Sequence, residues 1–369
     1  MSGTSGRRRK PAPSAAGDNG RKQVNLALQG GGSHGAYTWG VLDALLEDGR
    51  IGFEAITGAS AGAINAVLLA EGWRRGLAEG ADPCRAARER LTAFWTELGT
   101  QPNPFSLVSH WHGPTAMLPG GAINPMAQSL SLWLDIVSRV WSPYQLNPWN
   151  INPLRVALSR HVDFDALRAA APMKLFLCAT NVRTGRVRIF RENELQLEMP
   201  LASACLPFVF QAVEIEHAHG REAYWDGGYL GNPALWPLFY GTTSSDLLLV
   251  QINPLARAEV PDTAPEIAER VSEISFNASL LHEMRAIEFV QRLLAEKKLD
   301  PGRYRRVFLH RIASETQMAA FGVSSKYDTS APFLRRLFDL GRAAGHDWLE
   351  RHYHYVGHAG TVRIAEQYL

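Results

Sequence analysis

Three short stretches of this 369-residue chain carry residue types at spacings that could do chemistry. The sharpest is Gly58-Ala59-Ser60-Ala61-Gly62, a G-x-S-x-G pentad between an apolar run at 53–57 and a helical pattern opening near Ala61. In a tight strand-to-helix turn of this kind small residues relieve the crowding, and the serine oxygen is lifted clear of the sheet. The helix N-terminus beneath it favours negative charge as it develops. Such a serine is placed as the nucleophile of an acyl transfer. The second stretch, Gly30-Gly31-Gly32-Ser33-His34-Gly35, also follows a strand and opens a helix. Its backbone N–H groups could form an oxyanion hole. Alternatively Gly30, Gly32 and Gly35 satisfy the dinucleotide fingerprint G-x-G-x-x-G. That fingerprint needs an acid at the end of the next strand, where this chain has Thr57-Gly58 and the serine pentad, so the oxyanion reading is favoured. The third stretch is Asp226-Gly227-Gly228 after Ala223-Tyr224-Trp225. It could present a carboxylate at a strand end, and alone it equally describes an ordinary Asp-Gly turn.

Taken together, G-G-G-x-x-G, then G-x-S-x-G, then a distant D-G-G, the chain resembles the patatin-like phospholipase family. The likeness is densest over residues 24–70 and resumes over 202–232, where Ala202-Ser203-Ala204-Cys205-Leu206-Pro207 is similar to the segment ahead of the family's aspartate. The resemblance implies a three-layer α/β/α fold with a mainly parallel central sheet. It implies hydrolysis of lipid acyl esters by a Ser–Asp dyad, with Ser60 as nucleophile and Asp226 as base. It further implies that Gly30, Gly31 and Gly32 supply oxyanion N–H groups, with Gly35, Gly58, Gly62, Gly227 and Gly228 as motif glycines. One position departs from the pattern: the family's Arg or Lys before the last glycine of the first motif is His34 here, either a titratable cation in its place or a residue that only packs the loop.

A dyad without histidine needs a carboxylate that is a usable base near neutrality. With a reference pKa of ~3.9, Asp226 is expected to be partly desolvated and raised. The rival within hydrolases is a Ser–His–Asp triad drawing on one of the twelve histidines, such as His310 or His346. The single strand and helix ahead of the pentad argue against an α/β-hydrolase. From other classes, a dinucleotide-binding oxidoreductase and a non-catalytic lipid-binding scaffold are the alternatives. His352, His354 and His358 lack the spacing of a metal site, and no metal or cofactor is expected.

The elements that would position these residues follow from periodicity. Residues 24–29, 53–57, 174–180, 186–191 and 246–252 read as strands, and 306–310 as a last one. Helices are expected over 36–47 and from 61 through 69, with a short buried one at 201–205. Ile267, Val271, Ile274, Leu281 and Ile287 outline a long amphipathic helix, and Phe333, Leu337 and Leu340 mark another. Strands alternating with helices from the outset predict an α/β fold.

The composition is globular, 46% hydrophobic and 20% charged. Residues 1–22 hold six cations against Asp18, and read as a disordered basic tail. The remaining chain, 23–369, reads as one catalytic domain whose part from 261 is mostly helical. That body carries a net charge of about −3, so no nucleic-acid face is expected. Cys84, Cys178 and Cys205 are too few and scattered for a disulfide framework, and no apolar run follows the arginines. A cytoplasmic setting, with at most peripheral membrane contact, is the expectation. Residues 98–154 hold 8 of the 21 prolines and 4 of the 10 tryptophans, with only Asp135 and Arg139 charged. They are expected to form a cap or insertion with a helix near 126–140, lining an acyl pocket or touching lipid. The alternatives for this stretch are a homo-oligomer interface and plain core packing. The partner implied throughout is a lipid ester substrate.

Overall fold

The computed structural model describes residues 20–100 and 142–369. Arginines 7–9, the expected helix at 126–140 and Trp111, Trp133 and Trp141 lie outside them. In chain order the main elements are β1 (Lys22–Leu28), α1 (Gly35–Asp48), β2 (Ile51–Ala59), α2 (Ala61–Ala78), α3 (Pro83–Thr100), β3 (Lys174–Asn181), β4 (Arg186–Arg191), α4 (Glu198–Ser203), β5 (Val213–His217), β6 (Gly220–Asp226), β7 (Asp246–Gln251), α5 (Ala264–Ala295), β8 (Phe308–Ala313) and α6 (Ala331–His352).

The sheet runs β5-β6-β3-β2-β1-β7-β8, with β4 added on β3. Strands β3, β2, β1, β7 and β8 are parallel to one another, whereas β4 and β6 meet β3 antiparallel. Both faces are covered, which is why β7 reads as a continuous apolar run from Leu247 to Val250 and β1 as one interrupted only by Asn25 after Val24. Val24, Leu26 and Leu28 of β1 pack into a core with α1, α2, α3 and α6. Ala27, with Leu247 and Leu249 of β7, packs on the other face with Leu280, Met284 and Ile287 of α5. The expected α/β/α architecture is therefore present. The part beyond residue 261 is built into it, since β8 forms a sheet edge and α6 packs along α1.

Three expectations shift. Arg21 and Lys22 belong to the folded body: Arg21 Nε donates to Gly49 O at 2.9 Å, and Lys22 Nζ donates to Val356 O at 2.9 Å. The last strand begins at Phe308, because Arg305 turns inward to donate to the Ser244 and Thr242 carbonyls and holds the chain short of the sheet. In α5, Ile267, Val271 and Ile274 are exposed, so only the half from Leu280 onward buries an apolar stripe. No helix among the described residues is long and apolar enough to cross a membrane.

Candidate active site

The site forms at the carboxyl ends of the parallel strands, where β1 has β2 on one side and β7 on the other, the usual ligand edge of such sheets. Ser60 ends β2 at φ 52° and ψ −125°, a left-handed backbone that few non-glycine residues adopt. The turn is held by its neighbours. Ser60 N–H donates to Ser203 Oγ at 3.0 Å and to Ser203 O at 3.2 Å, which accounts for the Ala-Ser-Ala stretch ahead of Cys205. Side chains at Gly58 or Gly62 would strike backbone, Gly58 against Gly62 and Gly62 against the Leu28 carbonyl. This packing of α2 onto β1 forces small residues around the serine.

Asp226 reaches the same place from the opposite direction. Strand β4 covers one edge of β3 from Phe176 to Asn181, so β2 and β6 share the other edge. Ala59 lies opposite Cys178, and Asp226 lies opposite Ala179. Asp226 N–H donates to Cys205 O at 2.8 Å, and its carbonyl accepts from Thr180 Oγ1 at 2.8 Å. Gly227 sits against the Cys178 carbonyl with no room for a side chain. Asp226 Oδ1 accepts from Gly228 N–H at 2.7 Å, while Oδ2 is buried with no hydrogen-bond partner among the described residues. Burial pushes the carboxyl up to about 6, against the opposing pull of the Ser60 hydroxyl, the Gly228 N–H and the Lys326 charge.

The glycine loop lies over Ser60. A Cβ at Gly30 would come within 2.5 Å of Ser60 Cβ. Gly32 has φ 60°, and a side chain there would also strike the Lys326 carbonyl. Gly35 packs on the Ala61 methyl. The close-approach faces of these glycines are thus filled by the protein itself, where a dinucleotide site would keep them for pyrophosphate. The Gly30 N–H does not match the expectation of an oxyanion donor, because it donates to Asn232 Oδ1 at 2.7 Å. The Gly31 and Gly32 N–H groups have no partner among the described residues.

His34 takes the second of its two readings. Its ring is buried between Phe321 and Phe333, with centroids 5.9 and 6.1 Å away. Ser325 Oγ donates to Gly322 O at 2.6 Å, so it accepts from His34 Nε2–H at 2.7 Å. Burial, reinforced by the Lys326 and Arg257 charges, lowers the His34 pKa to about 3. The residue is a neutral packing element of the loop. His310, offered above as a triad histidine, lies away from the site. His310 is fully buried and bonded to Asp246 at 3.0 Å. Asp246 is the first residue of β7, four residues below Val250, the partner of Leu28. That places it about 13 Å down the sheet from the site.

Residues that sequence reasoning missed hold the loop from behind. Gln29 Oε1 accepts from Ile252 N at 3.0 Å and from Asn253 N at 2.9 Å. Asn253 Nδ2 donates to Gly30 O at 2.8 Å, and Lys326 Nζ donates to Asn253 Oδ1 at 2.8 Å. Asn277, the acceptor position of a sequon, is buried in the same network. A usable signal existed: Asn232-Pro233 and Asn253-Pro254 are both Asn-Pro pairs shortly after strand ends.

Among solved structures, the chain is similar to VipD from Legionella pneumophila at 17% identity, covering 88% of this chain and 69% of that one, with TM-score 0.33. It is also similar to full-length ExoU, solved with SpcU, from the type III secretion system of Pseudomonas aeruginosa. That match has 18% identity and TM-score 0.27, covers 71% of this chain and spans about half (51%) of the other. No curated protein matches. The family model for patatin-like phospholipases matches residues 26–239, more than half the chain and all three motifs. The chain belongs to the patatin-like phospholipase family, whose members are lipid ester hydrolases.

Proposed function

We propose that this protein hydrolyses carboxylic esters of lipids with Ser60 as nucleophile and Asp226 as general base. The observation that carries the reading is a carboxyl buried beside the hydroxyl of a serine in a strained elbow, its Oδ2 left without another partner among the described residues. Ser60 Oγ attacks the ester carbonyl as its proton passes to Asp226. The Gly31 and Gly32 N–H groups, with the open N-terminus of α2, stabilise the oxyanion. As the tetrahedral species collapses, the acyl–oxygen bond breaks and the departing alcohol takes the proton from Asp226. An acyl-Ser60 remains. Water then attacks it, giving its proton to Asp226, and Ser60 recovers that proton as the fatty acid leaves. A carboxyl near 6 is largely ionised at neutral pH yet more basic than a solvated aspartate.

The lipid is read as arriving beside the loop after Cys205. Tyr144, Trp149 and Phe208 are exposed there. Tyr144 Oη accepts from Ala212 N–H, and Asn147 O accepts from Gln211 Nε2, which ties this rim to the segment that carries Asp226. Fatty-acid release from a panel of phospholipids, neutral glycerides and short esters tests the activity. Release that needs both Ser60 and Asp226 supports it, and release undiminished in Asp226→Asn rejects the dyad.

A further inference from the structure

Lys326 is the buried cation that the mechanism above does not use. Its backbone carbonyl abuts Gly32, and its ammonium reaches the other end of the same loop through Asn253. The hydrogen bonds have a direction. An ammonium only donates, so it fixes Asn253 Oδ1 toward itself and Asn253 Nδ2 toward the Gly30 carbonyl. A flipped amide would set two oxygens face to face at Gly30. Asn253 Nδ2 also donates to Gln29 Oε1 at 3.2 Å, so what a neutral amine loses is the strong charge-assisted bond that anchors the Oδ1 end of the amide.

We propose that Lys326 is a positioning residue: its charged ammonium orients Asn253, which holds the Gly30 carbonyl and thereby aims the Gly31 and Gly32 N–H groups at the oxyanion. The proposal rests on Ser60 being the nucleophile. The charged groups around the ammonium are Glu269 and Glu273 on α5, Arg257 after β7 and Asp226 at the end of β6, with neutral His34 and the Tyr327 hydroxyl nearby. Burial lowers the lysine to about 8, with Arg257 acting in the same direction and the three carboxylates opposing it. Activity should therefore fall on the alkaline side as this proton is lost.

The test is the pH profile of Ser60 labelling by a fluorophosphonate, which needs no knowledge of the lipid. The wild type is expected to lose rate above about pH 8. Lys326→Arg, a donor that stays charged, should keep the rate within a few-fold and move the alkaline limb beyond about pH 9. Lys326→Met should label at least about tenfold more slowly across the range, with its acid limb moved upward because Asp226 loses a nearby cation. An alkaline limb unchanged in Lys326→Arg overturns the proposal. So does a folded Lys326→Met with wild-type rate and limbs. Ser60→Ala and Asp226→Asn run in parallel: labelling that survives Ser60→Ala, or full-rate labelling in Asp226→Asn, refutes the dyad reading itself, whereas the Lys326 limbs judge this proposal.

Discussion

Ser60 and Asp226 stand where two strands meet head-on along one edge of β3. Strand β2 arrives parallel with Ala59 opposite Cys178, and β6 arrives antiparallel with Asp226 opposite Ala179. Each chain then turns out of the sheet, Ser60 directly after β2 and Gly227 directly after β6. The proximity of the two residues along the chain of strands is thus a property of register.

Asp226→Asn should lower the rate by about 10² or more, as expected for loss of a positioned general base. It should also stabilise the protein above neutrality. The folded carboxyl titrates at about 6 against an unfolded value of 3.8, so its ionisation opposes folding. That cost is absent below pH ~4, grows as pH rises through ~6 and is complete above it, at about 3 kcal/mol. Asparagine can still accept from Gly228 N–H without this cost. Urea unfolding should find the variant more stable than wild type at pH 8, with the gap closing near pH 4. A gap that widens on acidification contradicts the burial of the charge.

Asn232→Ala leaves the Gly30 N–H buried with no acceptor. A loss of about 1–3 kcal/mol in stability is expected, along with slower hydrolysis as the loop loses its tether. Unfolding midpoints and turnover, measured together, check this. A variant slower in hydrolysis and unchanged in stability would mean that Asn232 acts on substrate and not on Gly30.

His34 should not titrate between pH 5 and 8. Imidazole NMR signals assigned to it should stay at their neutral shifts across that range, since burial holds its pKa at about 3. His34→Arg would force a permanent cation between Phe321 and Phe333 and should destabilise the fold by several kcal/mol. A His34 titration near pH 6.5 would mean that the ring is solvated in solution.

Trp149→Ala should reduce turnover of phospholipid in vesicles while leaving short soluble esters unaffected, because Trp149 is 83% exposed on the rim and touches no reacting group. Equal losses on both substrates would make it a structural residue.

The local parts of this site were legible in the sequence. A strand, a glycine turn and a helix lie within one short window, so the Ser60 elbow and the glycine loop could be read from neighbours in the chain. The convergence of the Asp226 and Ser60 strand ends could not, because it depends on β2 and β6 sharing an edge of β3. The choice between the two roles of His34 is not local either: its surroundings, Phe321, Ser325 and Phe333, come from nearly 300 residues away. Lys326 belongs to no motif, and nothing local marks it out. In α5 the apolar period is real, but the first half of the helix meets the fold through Glu273, Phe276 and Asn277, and Ile267, Val271 and Ile274 are exposed.

The most direct test of the dyad is the site of covalent modification. The protein is treated with a fluorophosphonate, digested and mapped by mass spectrometry, alongside Ser60→Ala and Asp226→Asn. A single adduct on Ser60, absent in Ser60→Ala and formed about 10² more slowly in Asp226→Asn, is the predicted result. An unlabelled Ser60 in folded protein, or an adduct on another residue, would contradict it.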